Sequence, residues 1–167
     1  DKQYDKHNFL IHDYFFARTL DKVRPGGIVA FITSKGTMDK ENPSVRKYIA
    51  QRADLLGAIR LPNDTFKSAA GTEVTSDIIF LQKRDRMVDI EPAWVHLNTD
   101  ANGHKMNQYF VDNPDMILGD MKEISGPFGP ELACVPFENL SLEELLSDAI
   151  QNIHAEITEY DLDEVLD

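Results

Sequence analysis

The segment that most constrains the fold is "RPGGIVAFITSKG", residues 24–36, in which two glycines precede a continuous apolar run. The run "IVAFIT" shows no apolar–polar alternation and is rich in β-branched and aromatic residues. Such runs are typical of strands buried on both faces, as in parallel sheets covered by helices. A dinucleotide-binding motif has the opposite order, with the strand before the glycines. The segment therefore predicts a buried strand after a glycine turn, and not a phosphate-binding loop.

The neighbouring segments predict an alternation of helices and strands. Helices are predicted over "NFLIHDYFFARTLDKV", residues 8–23, and "PSVRKYIAQR", residues 43–52. Further strands are predicted at 55–61 and 77–83, joined by the long loop 62–76. Because no helix separates these last two strands, we expect them to be antiparallel. The expected fold class is α/β, similar to the second half of a doubly wound sheet.

Three units are predicted along the chain. Residues 1–88 form the α/β core, residues 89–137 a β-rich extension with short strands at "AWVHL" and "QYFV", and residues 138–167 an acidic amphipathic helix with its tail. In the last unit Ser141 and Glu144 form a capping box, and leucines and isoleucines form an apolar stripe. The stripe favours packing within the chain over binding to a partner helix.

Charge is distributed very unevenly along the sequence. The net charge is −12, yet all 17 Lys and Arg residues occur up to Lys122, where 17 acidic residues balance them. The other 12 acidic residues follow, a block that is typical of a solvated face, a linker or a tail. The balanced first part does not exclude a nucleic-acid partner.

Several classes of protein are excluded by composition. The sequence contains neither an apolar run long enough to span a membrane nor a signal-peptide core at its start. The single cysteine, Cys134, excludes an intrachain disulfide and a cysteine-based zinc site, and the five histidines show no ligand spacing. These features predict a cytoplasmic protein without a metal site.

Three segments taken in order resemble a known enzyme family: "HNFLIHDYFFARTLDKVRPGGIVAFITSKG", "PSVRKYIAQRADLLGAIRLPNDTF" and "GTEVTSDIIFLQKR". Their order and spacing over residues 4–86 resemble the later half of the N6-adenine DNA methyltransferases, in the branch similar to type I modification subunits and to mobile-element proteins with a helicase. The resemblance implies the fifth to seventh strands of a Rossmann-like S-adenosylmethionine-dependent methyltransferase sheet with their helices, the last strand between the other two, plus a small α+β extension.

The same resemblance implies a function. It makes S-adenosylmethionine the cofactor and adenine in DNA the substrate of a bacterial, cytoplasmic restriction-modification enzyme. The glycine-rich cofactor motif and the Asn/Asp-Pro-Pro-aromatic motif of that family are absent from this sequence. The chain is therefore expected to be a fragment of such an enzyme, without a catalytic residue of its own and without tight binding of S-adenosylmethionine.

Two other functions remain open at this point: a non-catalytic protein-interaction module of a mobile-element protein, and an unrelated nucleotide-binding α/β domain. The family's neighbouring strand is missing, which would leave one edge of residues 28–33 unpaired. Open apolar edges tend to pair with another strand. We therefore expect self-association through this edge, or residues 92–118 folded over it.

The first candidate site residues follow from the resemblance and from the rule that open α/β sheets bind ligands beyond the carboxyl ends of their strands. The resemblance places His7 and Asn8 near the cofactor, while a helix cap is the plain structural interpretation. Lys35 and Gly36 follow the strand of residues 28–33 and are candidates for contact with DNA or the target base. A solvated turn between strand and loop is the favoured structural interpretation of both residues.

The long loop supplies the other candidates. Gly71 and Thr72 are candidates for contact with the target base, although a turn with positive φ also explains them. Phe66 is the only aromatic residue of the loop and is the candidate for stacking on an extruded adenine. Packing beneath the loop is the structural alternative for Phe66.

Overall fold

The computed structural model describes residues 11–66 and 74–154, and a three-stranded sheet lies at its centre. Strand β1 spans Ile28–Ser34, β2 spans Ala53–Leu61 and β3 spans Ser76–Lys83. β3 lies between the other two strands and pairs antiparallel with both. The predicted strand arrangement, with the third strand in the middle and antiparallel to its neighbours, is confirmed.

The wider fold class differs from the expectation. Every ladder between named strands in the described part of the chain is antiparallel, and the two other sheets are two-stranded hairpins. The expected Rossmann-like methyltransferase sheet is therefore wrong. The physical reason lies in β1, where exposed residues alternate with more buried ones because only one face of the strand is covered. The apolar run reflects an uncovered apolar face, and not burial on both faces.

Helices cover one face of the sheet. Helix α1 spans Ile11–Lys22, the short helix α2 spans Gly36–Asp39 directly after β1, and α3 spans Ser44–Arg52 and leads into β2. The ring of Phe16 on α1 packs edge-on against that of Phe31 on β1, with centroids 4.8 Å apart. We call the face that α1 and α3 cover the inner face, and the opposite one the outer face.

The Pro-Gly-Gly turn ends α1 as the sequence predicts. Gly26 has a φ of 81°, a conformation that glycine adopts without the steric cost of a side chain. Its amide donates to the carbonyl of Lys83 at 2.8 Å, and the Lys83 amide donates to the carbonyl of Gly27 at 2.9 Å. The pairing of β1 with β3 thus continues into the turn.

The rest of the described chain consists of short elements. In order these are a 3₁₀ turn at Ala93–Val95, β4 at Leu97–Thr99, β5 at Lys105–Asn107, α4 at Gln108–Asp112, a 3₁₀ turn at Pro114–Met116, β6 at Gly119–Gly126, β7 at Gly129–Pro136 and α5 at Leu142–Ile150. The strand expected at "QYFV" is wrong, because this segment lies in α4. "AWVHL" forms a 3₁₀ turn that only enters β4. Ser141 caps α5 as predicted, since its hydroxyl accepts from the Glu144 amide at 3.4 Å, which is one of the two hydrogen bonds of a capping box.

The segment that precedes β6 lies at the edge of β2. The Leu118 amide donates to the carbonyl of Arg60 at 2.9 Å, and Ile117 forms an isolated parallel bridge with the same residue. The expectation that residues 92–118 fold over the edge of β1 is therefore wrong, and β1 is an edge strand that pairs only with β3 among the described strands. None of the helices within the two described ranges is long and apolar enough to cross a membrane.

On the outer face, a glycine allows close packing against β2. The register of β2 shifts between Leu55 and Gly57, which marks a bulge. A Cβ atom at Gly57 would lie 2.9 Å from Cγ1 of Ile153 and 3.1 Å from the hydroxyl of Tyr109. The absence of a side chain at this position therefore lets the segment after α5 approach the backbone of β2.

We expect Gly57→Ala to lower the free energy of unfolding by about 1–3 kcal/mol, because the added methyl group must displace well-packed neighbours. Urea denaturation measures this loss. Gly36→Ala is the matched control, since the nearest atom to a Cβ there is the Ser34 Oγ at 3.6 Å. Equal stability of Gly57→Ala and the wild-type chain would contradict the close packing.

Candidate functional site

An arginine and two aspartates form a buried ionic cluster near the end of β2. The Arg60 side chain has no exposed surface. Its Nε donates to Oδ1 of Asp77 at 2.8 Å and its Nη2 to Oδ2 at 2.9 Å. Its Nη1 and Nη2 donate to the two carboxylate oxygens of Asp39 at 2.9 and 3.0 Å. Both carboxylates are bidentate partners, the geometry that favours arginine in buried ion pairs.

The fold brings these three residues together from different elements. Strand pairing places Arg60 of β2 directly opposite Asp77 of β3. Asp39 is the last residue of α2, which follows β1. The Arg60 guanidinium carbon also lies 4.4 Å from the centre of the Phe110 ring on α4, a distance that permits a cation–π contact. The cluster thus joins the sheet to the elements that follow it.

A second buried network holds Asp39 in place. The Asn107 amide donates to Asp39 Oδ1 at 3.0 Å. The Asn107 side chain donates to the carbonyls of Met38 at 2.7 Å and Trp94 at 2.8 Å. The buried guanidinium of Arg46 donates to three backbone carbonyls on both sides of the same junction. Polar side chains therefore satisfy the backbone where the chain crosses from the sheet to the extension.

Burial and ion pairing have opposite effects on the pKa values of the cluster. Burial lowers the pKa of Arg60, but Asp77 and Asp39 more than offset this effect, so that its pKa is raised and the guanidinium stays charged. Burial raises the pKa of Asp77, and the pairing with Arg60 opposes that shift. The Arg60 side chain is closed to solvent, and the two carboxylates already accept hydrogen bonds from its guanidinium. We therefore interpret the cluster as a structural link and not as a ligand site.

We expect Arg60→Met to destabilise the chain by about 3–5 kcal/mol, because two buried carboxylates lose their partner. Chemical denaturation of the variant measures the loss. Lys105→Met is the matched control, since Lys105 pairs at 2.6 Å with Glu41 at the surface, and exposed pairs contribute at most about 1 kcal/mol. A loss for Arg60→Met no larger than that of the control would show that the cluster does not hold the fold.

A surface cleft of about 310 Å³ lies where β1 ends and β3 begins. One wall consists of the residues at these two strand ends: Ser34, Lys35, Gly36, Val74 and Thr75. The other wall is the hairpin of β6 and β7, which contributes Pro127, Phe128, Glu131, Leu132 and Ala133. Phe128 is fully exposed at the tip of this hairpin. The next residue, Gly129, has a φ of 115°, which favours glycine at the turn.

Hydrogen bonds of Thr75 and Cys134 fix the two walls of the cleft to each other. The Asn63 amide donates to the Cys134 carbonyl at 2.8 Å, and the Cys134 amide donates to Thr75 Oγ1 at 2.9 Å. The Lys35 amide donates to the Thr75 carbonyl at 2.9 Å. Thr75 therefore connects the end of β1 with the hairpin. Burial raises the pKa of the Cys134 thiol to about 12, which leaves it protonated and unreactive at neutral pH.

The lining of the cleft suits contact with a polypeptide. It combines apolar side chains and an exposed aromatic ring with one charge of each sign, Lys35 and Glu131. Aromatic residues surrounded by a polar rim are typical of protein–protein contacts. Within residues 11–66 and 74–154, no group of three His, Cys, Asp or Glu side chains could hold a metal ion.

The structure brings together only part of the predicted site. Lys35 and Gly36 line the cleft. Phe66 is 47% exposed and does not belong to the lining of the cleft. Four predicted residues lie outside the described ranges: His7, Asn8, Gly71 and Thr72.

Two features of the site were missed from the sequence. Phe128 is not among the residues predicted from the sequence, although an aromatic residue between Gly-Pro and Gly-Pro in "SGPFGPE" indicates an exposed turn tip. Arg60 and Asp77 were treated as ordinary strand residues. A charged residue within the apolar run "LLGAIRL" is the signal that could have indicated a buried pair.

Comparison with known proteins shows a similarity over about half of the chain. No family model and no solved structure matches the chain. Over 87 residues the chain is 33% identical to "Defense against restriction protein B" of Escherichia phage P1. The match covers 52% of this chain, but the chain spans only 4% of the length of that phage protein.

This similarity corrects the expected family and function. The relative is named for defence against restriction and not for DNA methylation. The identification as a fragment of an N6-adenine DNA methyltransferase is therefore wrong, in agreement with the antiparallel sheet. S-adenosylmethionine and the target adenine were implied only by that resemblance.

Proposed function

We propose that this chain is a non-catalytic protein-interaction module of a long anti-restriction protein of a mobile genetic element. The observation that carries the proposal is the cleft between the end of β1 and the hairpin of β6 and β7, with Phe128 fully exposed at its tip. An aromatic side chain exposed in a tight turn contributes a large contact area to a partner.

The relative supports the biological setting of this proposal. Its name links it to defence against restriction, and the matched segment is a very small part of its length. We propose that this chain likewise serves defence against restriction and binds an enzyme that acts on DNA. Lys35 and Glu131 give the cleft one charge of each sign, so that the partner segment would present an apolar residue flanked by complementary charges.

We expect Phe128→Asp in the parent protein to reduce protection of incoming DNA against restriction by about 10-fold or more, because central aromatic contacts dominate binding. The measurement compares survival of that DNA in restricting and non-restricting hosts. Met87→Asp is the matched control, because Met87 is also exposed but lies outside the cleft. Full protection by a folded Phe128→Asp protein would remove the cleft from the function.

A second interaction is favoured by the position of β1. This strand forms one edge of the described sheet, and its sequence "IVAFITS" contains no charge and no proline. Natural edge strands usually carry a charged residue or a proline that prevents pairing with another chain. When two copies of one edge strand pair antiparallel, a two-fold axis relates them, and the free backbone amides and carbonyls of each copy bind those of the other. We propose that two copies of the module associate through β1.

The hydrogen-bonding register identifies which amides would form this contact. The Lys35 amide donates to the Thr75 carbonyl, and the Lys83 amide donates to the Gly27 carbonyl. Both are therefore hydrogen-bonded pairs of the ladder between β1 and β3. Hydrogen-bonded pairs alternate along an antiparallel ladder. The amide of Ala30 therefore points away from β3, toward the open edge.

We expect Ala30→Pro to abolish self-association, because it removes an amide that points to the open edge without breaking the pairing with β3. Light scattering over a range of protein concentrations measures the change in mass. Ala30→Ser keeps the amide and is expected to associate like the wild-type chain. A wild-type chain that stays monomeric throughout would refute this contact while leaving the role of the cleft untouched.

A further inference from the structure

The outer face of the sheet is apolar across all three strands. Register places Ala30 opposite Phe80, and Phe80 opposite Gly57, so that these residues point to the same side. Ile32, Ile78 and Ile59 form a second row of the same kind. The outer face is thus a continuous apolar surface.

Cover over this face decreases steadily from β2 to β1. Ile59 on β2 is completely buried, and Ile78 and Phe80 on β3 are partly buried. On β1, Ile28 is 49% exposed and Ile32 is 60% exposed. Isolated exposed apolar residues are common, but a face that is buried at one side and open at the other indicates a missing layer.

The existing cover comes from the C-terminal part of the described chain. Helix α5 is amphipathic, and Leu142, Leu145 and Leu146 pack against the core. Ile153 lies against Gly57, on the outer face of β2. The description ends one residue later, at His154. The chain therefore leaves the described region at the border between the covered and the uncovered part of this face.

We propose that residues 155–167 bind the exposed outer face of β1 and β3 within the same chain. This segment, "AEITEYDLDEVLD", supplies five larger apolar or aromatic residues: Ile157, Tyr160, Leu162, Val165 and Leu166. Contact of these side chains with Ile28 and Ile32 would remove apolar surface from water, with a gain in free energy proportional to the apolar area buried.

The length of the segment is sufficient for this contact. β1 lies two strand spacings from β2, which is about 10 Å. Thirteen residues span about 20 Å as a helix or about 43 Å when fully extended. The segment can therefore cross β3 and cover β1 in either conformation.

Charge also favours this occupant. The segment contains six acidic residues and no Lys or Arg. Arg24 precedes β1 and Lys35 follows it, while the strand itself carries no charge. An acidic segment that lies along β1 would have a basic residue at each end of the strand, and opposite charges at the rim fix the register of a contact.

Cysteine crosslinking in the intact chain tests the proposal. Ile32→Cys combined with Leu162→Cys places one thiol on the outer face and one in the segment, and the buried Cys134 stays unreactive. We expect oxidation to form a disulfide within single molecules in most of the protein, at a yield independent of concentration. Mass spectrometry of proteolytic peptides identifies the linked pair, and mixing with isotope-labelled protein separates links within and between chains.

Met87→Cys combined with Leu162→Cys is the matched control. Met87 is as exposed as Ile32 but follows β3 in the segment beside the end of α3. Little disulfide is expected there. Equal yields for the two pairs, or links found only between different chains, would overturn the proposal. The latter result would assign the outer face to a second copy.

Discussion

The paired guanidinium of Arg60 is the interaction on which the rest of the structure depends. It connects β2 with β3 through Asp77, with the end of α2 through Asp39, and with α4 through the ring of Phe110. Removing these charges from water is costly, and only bidentate geometry with full partners offsets that cost. Apolar residues at all three positions of the cluster could stabilise the fold as well, but they would not select one arrangement of four elements. The chemistry of the cluster therefore fixes how the extension sits on the sheet.

Local rules were sufficient for the central strands but not for the fold class. The antiparallel middle strand followed from the absence of a helix between β2 and β3, which leaves no room for a crossover. The burial of β1 could not be predicted, because an apolar run is compatible with two covered faces or with one. The methyltransferase resemblance depended on the order of a helix, a glycine turn and three strands. An antiparallel three-stranded sheet can have the same order.

Only one of the two walls of the cleft was predicted from the sequence. Lys35 and Gly36 were found because residues after a strand end lie at the rim of a sheet. The opposite wall comes from the hairpin around Phe128, which is far away in the sequence and reaches the rim through hydrogen bonds of Thr75 and Cys134. Neither contact has a local sequence signal, since each depends on how the hairpin docks. A cleft between distant segments is thus less predictable than either of its walls.

The position of Cys134 also allows thiol labelling to measure local opening of the structure. This thiol is the chain's only one, it is completely buried, and its backbone connects the hairpin to both Asn63 and Thr75. A thiol reagent can reach the sulfur only after the hairpin separates from the rim or the whole chain unfolds. The labelling rate therefore gives the free energy of the opening reaction that exposes the thiol at the lowest cost in free energy. Comparison with global unfolding would distinguish a hairpin that detaches independently from one that is an inseparable part of the core.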